Sequence, residues 1–147
     1  MNKFMKIAVN EAKKGVTNGD GGPFGAVVIK DNKIIAKAHN AVVKTNDPTA
    51  HAEINAIRKA AKKLNSFDLS GCEIYTTCMP CPMCMGAIRW ANINIIYYGT
   101  TSKDAQDIGF RDKEFYDEEF VNIYKIDTKE ALEPFRLWQE KDDRVIY

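Results

Sequence analysis

An α/β fold of three layers, with helices on both faces of a five-stranded mixed sheet, is predicted by two observations. A β-hairpin opens the sheet, and strands alternate with helices after it. A third observation keeps the chain to one domain, 1–147: its 147 residues hold no internal repeat, low-complexity tract or Pro/Gly/Ser linker. A domain of this size buries about two-thirds of its unfolded surface without disulfides or metal. A metal found here would therefore serve chemistry rather than rescue a weak core.

Met5, Ala8, Val9, Ala12 and Val16 recur at helical spacing and run into Gly19–Gly22, which predicts a first helix and its stop. Gly25–Ile29 and Ile34–Ala36 flank Asp31-Asn32 and read as the hairpin. In Asn46-Asp47-Pro48, Asp47 suits an N-cap and Pro48 the first helical position, where its missing N–H costs nothing. The helix they would start places Ile54, Ile57, Ala61 and Leu64 in one apolar stripe, with Asn55, Lys59, Lys62 and Lys63 facing elsewhere. Cys72–Thr77 is predicted as a strand, Cys81–Ala91 as a short apolar helix, and Ile93–Gly99 as a strand rich in Ile and Tyr. Ser102–Gly109 reads as a short helix and Val121–Ile126 as the fifth strand. Lys129–Lys141 reads as a terminal helix with Leu132, Phe135 and Trp138 on one face.

Apolar residues make up 45% of the chain and charged residues 28%, the balance of a globular protein. Lys3, Lys6, Glu11, Lys13 and Lys14 break up the apolar residues of Met1–Val16, so a signal peptide is not expected there. No run approaches the roughly 20 apolar residues of a membrane span. The cytoplasm is the expected location, where the four cysteines stay free or bind metal. A formal charge of +1 offers no electrostatic case for nucleic acid, which needs clustered Lys and Arg against phosphates.

The chemistry sits in two short stretches. His51-Ala52-Glu53 falls in the first turn of the second helix, and Pro80-Cys81-Pro82-Met83-Cys84 opens the third. A lone C-x-x-C also serves redox pairs and structural zinc knuckles, but H-x-E followed by P-C-x-x-C is the zinc deaminase signature. Three protein ligands, His51, Cys81 and Cys84, leave a tetrahedral zinc one open position, as catalysis requires. The positive ends of the helices favour thiolate over thiol at Cys81 and Cys84. Glu53, near the metal but not on it, can ferry protons from water to a ring nitrogen and then to the departing amine. Cys78 makes a rival pair with Cys81 and stands as an alternative to Cys84. Cys72 reads as a buried apolar residue and His39 as structural.

At these residues the chain resembles the cytidine deaminase-like superfamily, and within it bacterial guanine deaminases. The likeness runs through Gly21–Val27, Asn46–Glu53, Pro80–Ile88 and Gly109-Phe110. Transfer-RNA adenosine deaminases and fungal cytosine deaminases share the second and third stretches. Arg89-Trp90-Ala91, Asp107–Asp112, Pro134–Trp138 and the terminal Tyr147 are similar to guanine deaminases in particular. The resemblance implies one Zn2+ per chain and hydrolysis of guanine to xanthine and ammonia. It implies that Phe24, Asn40, Ala52 and Trp90 line or contact the base, and that Asp112 assists proton transfer to the leaving amine. It also implies a homodimer that exchanges the segment 129–147, so that Tyr147 closes the partner's site. Two departures stand out: Met79 replaces the Glu usual before Pro-Cys, and Arg111 replaces an acidic neighbour of Asp112 found in some relatives. The alternatives are deamination of adenosine in RNA, of cytosine or of another purine, and a structural zinc module that binds a partner.

Overall fold

The computed structural model describes residues 2–117, 122–126 and 128–147. They fall into two compact units, Met1–Asp117 and Glu118–Tyr147.

In the first unit, helix α1 (Lys3–Asn18) starts at Asn2, whose side chain accepts from the backbone N–H of Phe4 at 2.9 Å and of Met5 at 3.1 Å. It stops at Gly19, whose φ of 71° is the left-handed conformation that glycine adopts without strain. Strands β1 (Gly25–Lys30) and β2 (Lys33–His39) form the predicted hairpin. Asp31 and Asn32, both at positive φ, make its two-residue turn. Strand β3 (Cys72–Cys78) pairs antiparallel with β1 and parallel with β4 (Ile95–Thr100). The mixed sheet thus runs in the order β2-β1-β3-β4. A parallel pair needs a crossover, and α4 (Pro82–Trp90) supplies it between β3 and β4.

Two apolar clusters sandwich the sheet. Phe4 and Ala8 of α1 pack with Val27, Ile29 and Tyr75 on one face. On the other, Ala52, Ala56 and Ala60 of α3 (Ala52–Leu64) and Ile88 of α4 pack with Ala26, Val28, Ala36 and Ile74. Ile74 and Ile88 are fully buried, each contributing about 1.5–3 kcal/mol of transfer free energy. Gly25 lets α1 approach closely, because a Cβ there would lie 2.0 Å from the Ala8 carbonyl oxygen.

The structure corrects several sequence expectations. The helix expected to begin at Pro48 begins at Ala52, because Asp47 caps a local turn instead, accepting from the Thr49 N–H at 2.8 Å. Its buried face is the row of small residues Ala52, Ala56 and Ala60. Ile57, Ala61 and Leu64 only flank that row, and Asn55 bonds the His39 and Ala50 carbonyls rather than facing solvent. Small side chains bring α3 down close to the sheet.

A short helix α2 (Val42–Thr45), not expected from the sequence, precedes it. Two more short helices, α5 (Ser102–Asp107) and α6 (Asp112–Asp117), close the unit. The sheet has four strands, not five, among the described residues. Of the segment expected as the fifth strand, 122–126 forms no regular structure, and Val121 lies outside the described residues. β-propensity by itself does not make a strand.

In the second unit the expected terminal helix is interrupted at Leu132 into α7 (Thr128–Ala131) and α8 (Glu133–Glu140). Pro134 sits in the first turn of α8, where it lacks the N–H to continue the preceding turn. Leu132, Phe135, Leu137 and Trp138 are exposed. Among the described residues no helix is long and apolar enough to cross a membrane.

Candidate active site

Two helix N-termini build the site. His51 is the N-cap of α3 and Cys81 the N-cap of α4, both in extended backbone and neither spending its side chain on a cap hydrogen bond. The side chains turn toward each other instead. Cys84, one turn into α4, completes the group: the His51 Nδ1 lies 3.7 Å from Cys81 Sγ and 3.6 Å from Cys84 Sγ. The three ligand atoms are all within 4.8 Å of one another. One imidazole and two thiols make a donor set suited to zinc, and three ligands leave a fourth position open. Cys78 is not part of the group. It ends β3, with its thiol 3.5 Å from the Thr101 carbonyl, which removes it as the alternative to Cys84.

The electrostatics of the triad follow from its packing. A hydrogen bond from Cys84, reinforced by one from His51, outweighs burial and lowers the Cys81 pKa to about 4. The same bond to Cys81, together with burial, raises Cys84. A divalent metal would bind the two sulfurs as thiolates, releasing any thiol proton that remains. The hydrogen bond to Cys81 also raises His51 against the pull of burial.

Glu53 lies in the first turn of α3, only 6% exposed. Its Oε1 lies 3.1 Å from Thr76 Oγ1, which is in turn 3.0 Å from the Cys78 carbonyl, and its Oε2 lies 3.5 Å from Cys84 Sγ. Thr76 carries a single hydroxyl proton. When it donates to Cys78, it can accept from a protonated Glu53, so the network accommodates both states of the carboxyl. Burial raises the Glu53 pKa, and neither its own backbone bond nor Thr76 cancels that rise.

A cavity of about 300 Å³ opens over these groups. His51, Glu53 and Cys81 line it, with Phe24 and Asn40 from the chain on either side of the hairpin and Asp112 from the start of α6. Phe24 meets Phe110 edge to face, with ring centroids 4.9 Å apart. Burial raises the Asp112 pKa, and the Cys81 charge adds to it. Tyr116 of α6 donates its hydroxyl to the Pro80 carbonyl, next to Cys81.

Residues 1–100 match the profile of the cytidine and deoxycytidylate deaminase zinc-binding region. The chain belongs to this family. Its His51, Cys81 and Cys84 form the family's zinc site. The guanine deaminase of Bacillus subtilis (strain 168) is 46% identical over 98% of this chain and 97% of its own. The X-ray structure of guanine deaminase from Bacillus subtilis superposes with a TM-score of 0.93 at 44% identity, over 100% of this chain and 99% of that one. A tRNA-specific adenosine deaminase of Aquifex aeolicus (strain VF5) is 43% identical over 68% of this chain and 66% of its own.

The residues expected at the site divide into three groups. Phe24, Asn40, His51, Glu53, Cys81 and Asp112 line one cavity, with Cys84 fully buried among the zinc ligands. Ala52 is also fully buried and does not line the cavity; its side chain belongs to the core beneath α3. Trp90 is 69% exposed and lies outside the lining as well. It ends α4, about 12 Å along the helix from the end that carries the ligands. Tyr147 belongs to the second unit and is exposed.

Sequence reading missed Val42 and Val43 of α2 and Phe115 of α6, all lining residues. It gave Arg111 no contact, whereas its guanidinium lies 5.5 Å from the Phe115 ring centroid. Asp112 followed three residues later by the aromatic pair Phe115-Tyr116 was the available signal for α6.

Proposed function

We propose that the protein is a zinc-dependent guanine deaminase that hydrolyses guanine to xanthine and ammonia. The observation that carries this reading is the extent of similarity: a guanine deaminase matches 98% of the chain, whereas a transfer-RNA adenosine deaminase at similar identity matches 68%. The near-neutral charge also favours a free base over RNA.

A zinc ion held by His51, Cys81 and Cys84 would supply Lewis acidity and bring the pKa of a bound water to about 7. The remaining work falls to the side chains. Phe24 stacks on the base and Asn40 hydrogen-bonds its edge, placing C2 over the open side of the triad. Glu53 takes a proton from the attacking water and passes it to the ring nitrogen beside C2. With the C2–O bond formed in that attack, it then carries the second water proton to the exocyclic amine as the bond from C2 to that amine breaks and ammonia leaves. A carboxyl raised by burial suits a group that must hold a proton for part of each cycle. Asp112, likewise raised, assists departure of ammonia.

The assembly proposed is a homodimer that exchanges the segment 129–147, with Tyr147 closing the partner's cavity. Exposed Phe135, Leu137, Trp138, Val145 and Ile146 support it, since so many exposed apolar residues in one short segment call for a covering surface. Ammonia release from guanine, adenine, cytosine, their nucleosides and a transfer-RNA anticodon stem tests the substrate. Turnover of guanine is expected, and preferential turnover of the anticodon stem would overturn the assignment.

A further inference from the structure

A histidine held between two acids immediately precedes the cavity-lining Asn40. His39 ends β2. Its Nδ1 is 3.1 Å from Glu11 Oε2 on α1, and its Nε2 is 2.7 Å from Asp20 Oδ2 in the loop that follows α1. An ionised carboxylate only accepts hydrogen bonds, and a neutral imidazole has only one N–H to give. With both acids ionised, two such bonds at once would require both ring nitrogens to carry hydrogen, an imidazolium between two carboxylates. The three side chains are 16%, 10% and 8% exposed. The bond from His39 leads the causes that lower Asp20; at Glu11, burial works against a lowering to which His39 and Lys37 contribute.

Short links carry this triad to the base-binding residues. Asn40, next to His39, donates its backbone N–H to the Phe24 carbonyl at 3.0 Å, and its side-chain oxygen accepts from the Val42 N–H at 3.1 Å. Gly21, next to Asp20, packs so closely that a Cβ would lie 2.1 Å from that same oxygen. The Asp20 carbonyl accepts from the Lys44 N–H at 2.9 Å, and the His39 carbonyl accepts from Asn55 of α3 at 3.0 Å. Gly15 of α1 lies against the ring, where a Cβ would come within 2.8 Å of Cδ2.

We propose that Glu11, His39 and Asp20 form a positioning triad that locks the loop after α1 and the end of β2 in the arrangement that lines the cavity with Phe24 and Asn40. The inference rests on the proposed roles of Phe24 and Asn40. Its physical basis is that a nearly buried charge left unpaired is costly, so an arrangement that breaks either ion pair is disfavoured and one geometry is selected. The charges facing the triad come from every neighbouring element: Lys14 of α1, Lys37 of β2 and Lys44 of α2. Arg58 and Lys59 of α3 line the cleft through which solvent reaches His39.

The test uses the zinc-loaded full chain and its His39→Gln and Asp20→Asn variants. Loss of an imidazolium donor should raise KM for guanine about tenfold or more in His39→Gln, with kcat and zinc content nearly unchanged. Asp20→Asn, which keeps shape and an acceptor but removes a charge, should raise KM less. Proton–nitrogen correlation spectra of the wild type at neutral pH should show both His39 ring nitrogens protonated. A neutral tautomer, unchanged KM in both variants, or a fall in kcat at constant KM would overturn the proposal. If His39→Gln loses its zinc and fold, Asp20→Asn decides. Should the wild type deaminate a different base, the substrate assignment fails by itself; the same ratios are then read on that base, and the spectra need no substrate.

Discussion

Helix α5 begins with a cap of its own. Thr101 accepts from the Asp104 N–H, and the Asp104 carboxylate returns a bond to the Thr101 N–H at 2.8 Å. Helices α3 and α4 begin on His51 and Cys81, which share the extended backbone of Thr101 but make no side-chain cap. In α5 the residue at the start stabilises the helix. In α3 and α4 it is diverted to the metal, and the helices are held instead by burial of Ala56, Ala60 and Ile88 against the sheet. An uncapped start on a well-packed helix is therefore a place where local stability has been given up for a ligand.

Breaking the diverted starts should have the largest effect. Cys81→Ser or Cys84→Ser should lose the zinc, about one ion per chain by metal analysis, and all deaminase activity with it. Glu53→Gln comes next. It keeps the shape of the side chain but cannot carry the proton, so zinc should stay while kcat falls by roughly 10² to 10⁴. Near-normal turnover by that variant would remove Glu53 from the mechanism.

The comparison extends to the second unit, where apolar residues lie exposed rather than packed. Deleting Val145–Tyr147 should lower guanine turnover by up to about 10² through lost positioning and water exclusion, with zinc content unchanged. Full activity after the deletion, or a monomer in sedimentation, would rule out the exchanged-segment dimer. At the self-capped start, Thr101→Ala should cost about 1 kcal/mol in denaturant unfolding and leave zinc and kcat intact. The smallest effect is expected at Cys78→Ser, since its thiol stands apart from the zinc group. An emptied metal site in that variant would reverse the assignment of Cys84.

Much of the site was legible because its spacing is local. His51 and Glu53 are two residues apart, and Cys81 and Cys84 lie within one turn, so sequence alone puts each pair at one helix start. The hairpin was legible for the same reason, since Asp31-Asn32 favours the positive φ that a two-residue turn requires. The start of α3 was misplaced because Asp47 caps equally well a helix or a turn, and only the Thr49 contact shows which. Among the described residues the expected fifth strand does not form, since β-propensity at Ile123 and Tyr124 is not sufficient by itself.

His39 shows where legibility stopped. Its partners, Glu11 and Asp20, lie in another helix and the following loop, and nothing in the neighbouring residues distinguishes it from any structural histidine. The sequence by itself determined the zinc ligands, the acid beside them and the alternation of strands and helices, because each depends on residues a few positions apart. Tertiary structure alone decided that Phe24 meets Phe110, that Cys78 is set apart from the metal group and that Trp90 stays out of the cavity. These are consequences of how separate elements pack, and packing depends on side-chain volume and strand pairing across the whole chain.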